Sequence, residues 1–307
     1  MKTVTRTELS VLIPVYNDAC LTLVKRLQQL CRDAVDSGRL LNYEIIVSDD
    51  GSTDDMAVAA NRVIDTMQHC RYILRQHNSG SAANRNLLAK ESSCQWLLYV
   101  DSDIDIPDDD FIAYYLNAPE ADVVMGGIRP EDPVEERNLR YLYESSSRHN
   151  HTALARARRP YQSFRSCNFM IRRTVMLKCP FDERFLKSGY EDVMLGKQLK
   201  MQRHTIVHIE NPVVMTHYEP NADYVGKMER SIQTLYRFHD ELRGYSRLLT
   251  AADGIHLGIV RRTAALLFRI TAPLIRRNLT GKKPCLALLN PYRLGYYIWF
   301  SQKRHNL

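Results

Sequence analysis

Trp96-Leu97-Leu98-Tyr99-Val100-Asp101-Ser102-Asp103 runs five apolar residues straight into two carboxylates one residue apart. The run has the length and the aromatic and branched content of a buried strand, so the acids fall where the chain leaves the core. Two carboxylates placed there can share a hard divalent cation that also carries phosphate oxygens. An Asx-turn or a helix cap ahead of Pro107 would use the same residues without any ligand. A calcium hand would match Asp101, Asp103 and Asp105, but Ile106 stands where its loop needs glycine and Ile112 where it needs glutamate, so that reading fails. A phosphatase built on such a pair would carry Thr or Val next, whereas Ile104-Asp105 follows here.

Working outward, short apolar runs alternate with helical stripes over the first 130 residues. Strands are expected at Leu9–Val15, Tyr43–Val47, Arg71–Arg75 and Trp96–Val100. Between them, Leu21, Val24, Leu27, Cys31 and Ala34 recur at helical spacing, as do Met56, Ala60, Val63, Ile64 and Met67, and a helix is expected at about 82–92. The pattern predicts an α/β fold: a doubly wound, mostly parallel sheet with helices on both faces. Ligands of such sheets sit beyond the carboxyl ends of the strands. Ser48-Asp49-Asp50-Gly51-Ser52-Thr53-Asp54 lies at a second such end. Gly51 permits a tight turn and Ser52 or Thr53 could cap the next helix. Two adjacent acids exceed what a cap needs, and one could accept from the N–H of a nucleobase. No G-x-G-x-x-G follows any strand and the P-loop spacing is absent, which excludes the usual nicotinamide and P-loop readings.

Farther on, residues 130–162 are polar, Arg-rich and without clear period, and read as an excursion or loop. Ser163–Arg172, Thr205–Ile209 and Val213–Tyr218 read as strands, with a helix at about 191–202 and a long one over 222–242 that breaks at Gly244. Glu191-Asp192 opens the first of these helices, where the dipole favours carboxylates. His217 closes the last apolar strand; alone it reads as structural, and beside an Asp-x-Asp it becomes a candidate third metal ligand.

The charge is uneven. The chain carries 42 Lys and Arg against 35 Asp and Glu, net +7, yet residues 254–307 hold ten basic residues and no acid. Residues 1–253 are therefore net −3, and a uniformly basic nucleic-acid binder is excluded, with no recognition motif to support one. Arginines 261, 262, 269, 276 and 277 fall within about a 160° arc at 100° per residue, with most apolar side chains opposite. Tyr292, Tyr296, Tyr297, Trp299 and Phe300 follow near Arg293, Lys303 and Arg304. Residues 255–304 thus suit an anionic membrane surface, or else a helix packed on the preceding domain. Pro273 is expected to kink it. The seven cysteines are scattered without C-x-x-C, the opening residues lack a signal-peptide core, and no apolar run is long enough to span a bilayer. The expected location is cytoplasmic, peripheral at the inner face of the plasma membrane.

Val11-Leu12-Ile13-Pro14-Val15-Tyr16-Asn17, Ser48 to Asp54, Asn78-Ser79-Gly80 with Arg85-Asn86, Val100 to Asp103, Phe181-Asp182-Glu183-Arg184-Phe185 and Glu191-Asp192 occur in that order. Together they resemble the family 2 glycosyltransferases of the GT-A fold, over roughly residues 8–220. Asn84 and Lys178-Cys179-Pro180 depart from the usual pattern and leave donor identity open. The resemblance implies an inverting enzyme dependent on Mn²⁺ or Mg²⁺ and of bacterial cell-surface glycan type. It would move sugar from a nucleotide-sugar, preferably a UDP-sugar, to a hydroxyl of a glycan acceptor such as a lipid-linked saccharide. Carried over, Pro14, Val15 and Tyr16 line the base pocket and Asp50, with Asp49, holds the base. Arg85 approaches the diphosphate or positions the Asp-x-Asp. Asp101 contacts the ribose side and joins Asp103, the main metal ligand, with His217 completing the set. Asp192 is the base, and Glu191 orients the acceptor or supports the site. The corresponding division is a catalytic domain over 1–243, with a nucleotide-sugar half at 1–130 and an acceptor half at 131–243, and a basic helical tail at 244–307. The alternatives are a polyprenyl-phosphate glycosyltransferase and a non-catalytic nucleotide-sugar-binding scaffold.

Overall fold

A computed structural model describes residues 6–131, 138–186, 189–255 and 258–305; the side chains of Arg304 and His305 are outside it, as are positions 132–137 of the Arg-rich excursion. The first part alternates β1 (Glu8–Val15), α1 (Leu21–Asp36), β2 (Asn42–Asp49), α2 (Asp55–Arg62), β3 (Cys70–Leu74), α3 (Ser81–Glu91) and β4 (Trp96–Val100). Next come β5 (Ile104–Asp105), α4 (Phe111–Leu116), β6 (Val123–Met125), β7 (Ile128–Pro130), α5 (Leu139–Ser146), α6 (Ala153–Ala157), β8 (Asn168–Arg172) and α7 (Arg173–Lys178). The chain continues as α8 (Glu191–Met201), β9 (Ile206–His208), β10 (Val213–Met215), α9 (Asn221–Arg237), α10 (His239–Leu242), α11 (Arg247–Asp253), α12 (Gly258–Leu279) and α13 (Leu289–His305).

Seven strands form the main sheet in the order β3-β2-β1-β4-β8-β6-β9. β3, β2, β1 and β4 are mutually parallel, β8 runs against β4 and β6, and β9 is parallel to β6. The sheet is thus mostly parallel, with the order reversing on either side of β1, the topology that opens a ligand crevice at the strand ends. Every residue of β4 is buried, as a strand covered on both faces must be. One core layer gathers Leu9, Val11, Ile13, Trp96 and Leu98 against α1; the other gathers Leu12, Ile46, Leu97 and Tyr99 against α3 and α7. A small sheet, β5-β10-β7, sits beyond the Asp-x-Asp.

Three expectations change. Residues 139–157 are largely helical, because Asn138 caps α5 and Arg156 points inward. The Arg156 guanidinium donates to the carbonyls of Met125 (3.1 Å), Gly126 (2.9 Å), Ile209 (2.7 Å) and His151 (2.9 Å), work that an arginine-rich composition cannot disclose. The strand expected from Ser163 begins only at Asn168, since Phe164 turns into the core to meet Phe169 edge-on at 4.9 Å. Asp54, not Ser52 or Thr53, caps α2, accepting from the amides of Met56 and Ala57.

The C-terminal helices share the interior. Tyr297 and Leu249 join Phe185, Met194 and Leu235 in one cluster, and Phe268, Leu279 and Tyr292 join Leu139 and Val225 in another. α12 runs through Pro273 and turns Ala265, Phe268 and Leu279 inward. Arg261 lies on that side, bonded to Ser301 at 3.2 Å, so the arginines do not all face water as the wheel implied. No described helix is long and apolar enough to cross a membrane.

Candidate active site

The parallel strands place their carboxyl ends side by side. At the end of β1, Val15 is buried, Pro14 is half-buried and Tyr16 is 48% exposed, leaving its ring available at the crevice. The Val15 carbonyl accepts from the Asp50 amide at 2.9 Å, locking the ends of β1 and β2 together. Asn17, in the left-handed region (φ 51°), accepts at its side chain from the amides of Thr53 and Asp54, while its own amide donates to the Ser52 hydroxyl. This latch fixes the acidic turn. Gly51 is required in it: φ is 72°, and a Cβ would stand 2.7 Å from the His77 carbonyl carbon.

Both acids of the turn are engaged within the protein. Asp49 is fully buried and accepts from the Ser52 amide (2.8 Å) and the Tyr72 hydroxyl (2.6 Å). Asp50 accepts from Arg75 (2.9 Å) and from the amides of Ser79 and Gly80. Arg75, one residue beyond β3, has no sequence pattern that marks it.

Asp101 and Asp103 stand at the end of β4. Asp101 accepts from Arg85 Nη2 at 2.7 Å, and Arg85 Nη1 lies 3.9 Å from Glu191 Oε1. Burial opposes the Arg85 charge, but Asp101 and Glu191 outweigh it and hold its pKa above the ordinary value. Nε and Nη1 of this buried guanidinium have no hydrogen-bond partner among the described residues. Asp103 receives no hydrogen bond from a described residue. Burial, then the Asp101 charge, raises its pKa, while Arg140 and Lys227 pull the other way. Hard oxygen donors under like-charge pressure fit a divalent cation.

Glu191 and Asp192 begin α8. Glu191 is anchored, accepting from Ser81 (3.0 Å) and the Gly189 amide (2.7 Å). Asp192 is half-buried and, among the described residues, accepts only from the Val193 amide, at 2.7 Å. Burial and then the Glu191 charge push its carboxyl up to about 6. The preceding Tyr190 has φ 71°, a strained setting for a large side chain, and its hydroxyl stands beside Arg293 of α13.

Not every candidate is assembled. Among the described residues no three His, Cys, Asp or Glu side chains form a metal-binding group. His217 is exposed, because the β10 ladder to β5 ends at the Met215–Ile104 pair, two residues short of it. Sequence reasoning also passed over Asn86, whose side chain holds the backbone N–H and carbonyl of Phe181 at 2.9 Å each and so ties α3 to the Phe-Asp-Glu segment. Its place beside Arg85 in the motif was the available signal.

A strand-end acid turn, an Asp-x-Asp after the central strand and a carboxylate-headed helix across the crevice define a GT-A glycosyltransferase architecture. A model of "Glycosyl transferase family 2" matches residues 10–180, and the chain belongs to that family. It is similar to "Glycosyltransferase GlyA" of Streptococcus pneumoniae serotype 4, 31% identical over 121 residues that make up 39% of this chain and 16% of that protein. An "Uncharacterized glycosyltransferase" of Haemophilus influenzae is 31% identical over 105 residues, 34% of this chain and 37% of the other. The match therefore spans well under two thirds of either relative. Among solved structures, the mannosyltransferase PcManGT of Pyrobaculum calidifontis in complex with GDP-Man and Mn²⁺ superposes with a TM-score of 0.53 at 16% identity, over 96% of this chain and 88% of that one. S. aureus TarS 1–349 in complex with UDP-GlcNAc gives 0.50 at 16% identity, over 97% and 92%. At such identities these likenesses establish the fold.

Proposed function

We propose that this chain transfers a sugar from a nucleotide-sugar to a glycan hydroxyl, with inversion and with the help of a divalent cation. The observation that carries the reading is the Arg85 link between the Asp-x-Asp and the carboxylates that open α8, 2.7 Å to Asp101 and 3.9 Å to Glu191. Beside it, burial raises the Asp192 carboxyl to about 6. The structural relatives crystallised with GDP-Man and Mn²⁺ and with UDP-GlcNAc support a nucleotide-sugar donor; UDP is preferred from the motif resemblance.

Each residue then has a task. Tyr16 and Pro14 offer the wall on which a base can lie, with Val15 buried behind them, and the Asp49–Asp50 turn forms its rim. Asp101 and Asp103 would hold the cation; His217, exposed two residues beyond the β10 ladder, is not gathered with them into a three-residue ligand group among the described residues. Bound there, the cation would neutralise the charge that develops on the diphosphate leaving group. Arg85 holds Asp101 in place. Asp192, whose pKa lies close to neutral, takes the proton from the acceptor hydroxyl as that oxygen attacks the anomeric carbon from the face opposite the nucleotide. An α-linked donor gives a β-linked product. Glu191, fixed by Ser81 and Gly189, orients the acceptor.

α12 exposes Ile259, Leu266, Leu267, Ile270 and Leu274, with Arg262, Arg269 and Arg277 also exposed on that helix. An apolar stripe flanked by arginine supports a peripheral site on an anionic membrane, where a lipid-linked acceptor would be met. A panel of UDP-, GDP- and dTDP-sugars with Mn²⁺, read by nucleotide release with and without glycan acceptors, tests the activity. Turnover with none of them would return the scaffold reading.

A further inference from the structure

A cavity of about 650 Å³ opens between α9, α12 and α13, apart from the strand-end crevice. Its size falls in the range of small-molecule sites. One wall is a continuous aromatic cluster: Phe268 stands 5.3 Å from the Tyr292 ring, 6.3 Å from Tyr296 and 6.4 Å from Trp299. Gly295 allows this close crossing, since a Cβ there would meet Phe268 at 2.4 Å. Cations line the other side. Arg276 is already spent on Glu229, to which Nε donates at 3.1 Å and the Tyr292 hydroxyl at 2.6 Å. Arg269 and Arg277 line the same cavity, are exposed, and have no ion-pair partner among the described residues.

The cavity also has a fixed relation to the apolar stripe. Leu266, Ile270 and Leu274, 57%, 65% and 72% exposed, recur every four residues and so share one face of α12. On the helical wheel Arg269 lies between that face and the inward side of α12, and Arg277 lies within the face itself, between Leu266 and Ile270. A ligand entering past the arginines would therefore have its apolar part beside the stripe and its anionic part against two uncommitted guanidiniums.

We propose that the α12–α13 cleft is a binding site for a single anionic phospholipid of the bilayer, its phosphate held by Arg269 and Arg277 and its glycerol end packed on Phe268 and Trp299. This rests on the membrane-surface reading above and deepens it, since the stripe alone would give adsorption without a defined headgroup site. Guanidinium forks suit phosphate oxygens, and the aromatic wall gives the remainder of the headgroup region a dry surface.

The cleft carries its own reporter. The chain has two tryptophans, and Trp96 is fully buried in the main core, so a ligand-dependent change in emission reports Trp299. The full chain is titrated with dihexanoylphosphatidic acid below its micellar concentration, with dihexanoylphosphatidylcholine, and with inorganic phosphate. The expected result is a saturable change with the phosphatidic acid only. It should weaken at least tenfold in Arg269→Ala/Arg277→Ala, whose side chains are exposed, and in Ala272→Phe, which fills the cavity without altering charge. An equal response to phosphatidylcholine or to phosphate, or variants that titrate like the wild type, would overturn the site. Flotation with vesicles containing phosphatidylglycerol separates the two readings. Flotation of the wild type with a flat titration overturns the cleft and leaves the surface reading standing, whereas saturation without flotation overturns the bilayer as the source. Ile270→Ser/Leu274→Ser should lose flotation and keep the titration.

Discussion

Arg85 Nη2 donates to Asp101 Oδ1 at 2.7 Å while Nη1 of the same guanidinium stands 3.9 Å from Glu191 Oε1. One buried side chain on α3 thus spans the end of β4 and the start of α8, the two elements that present the candidate cation ligands and the candidate base.

Arg85→Met should leave both acids without their countercharge. Removing one partner of a buried pair typically costs about 3–5 kcal/mol, and the partial exposure of Asp101 places this case at the lower end. Urea unfolding would show the loss. Arg85→Lys keeps the charge but not the two-pronged geometry. It should retain most of the stability while transfer falls at least tenfold, and an Arg85→Lys enzyme of unchanged turnover would contradict the positioning role.

Asp192→Asn should lower transfer to an alcohol by ~10²–10⁴, the usual worth of a general base. In the wild type, kcat/KM should climb with pH through about 6 and level off above it, because only the ionised carboxylate accepts the proton. Stability should move the other way. Since the folded pKa is raised from 3.8, ionisation is harder in the folded state, and stability is lost as pH rises from about 4 to about 6. At pH 7.5 the Asn variant should therefore be more stable than wild type, by about 1–2 kcal/mol after allowing for solvent screening. Full turnover in this variant would favour a phosphate acceptor, which needs less help from a base, and with it the polyprenyl-phosphate alternative.

His208 and Arg156 offer a test remote from the chemistry. Arg156 Nη1 lies 3.0 Å from His208 Nδ1, and burial, then this cation, lowers the imidazole to about 4. A histidine with a depressed folded pKa contributes stability above its unfolded pKa of 6.5, and that stability is lost as pH falls toward 4. The loss across that window should be roughly 2–3 kcal/mol, followed by urea midpoints from pH 7.5 to pH 4. His208→Gln should flatten that part of the curve. Arg156→Met should destabilise at every pH, by about 3 kcal/mol, because four carbonyls lose their donor.

These residues also mark where sequence reading stops. β4 was legible because a parallel strand covered on both faces must be an unbroken apolar run, here closed by Asp101. β1 and β2 depart from such a run at Ser10 and Glu44 and are closed by Asn17-Asp18 and by Asp49-Asp50-Gly51. Trp96–Val100 and Glu191 onward start and end as the pattern indicates. β5, β6 and β7 were not separated, since strands of two or three residues carry no period. The Arg-rich stretch was misread because an arginine that caps carbonyls inside the protein has the same letter as one in water. Asp49 and Asp50 were legible as a strand-end pair, but their partners Tyr72 and Arg75 come from β3 and the residue just after it and could be found only in three dimensions.

The central claim is that Asp103 brings a cation and a nucleoside diphosphate to the end of β4. Calorimetry of UDP binding, with Mn²⁺ and with EDTA, on the wild type and on Asp103→Asn tests it most directly. Binding by the wild type is expected only when Mn²⁺ is present, with no metal-enhanced binding by Asp103→Asn despite an unchanged fold. UDP affinity that is the same with EDTA, or the same in the variant, would contradict it.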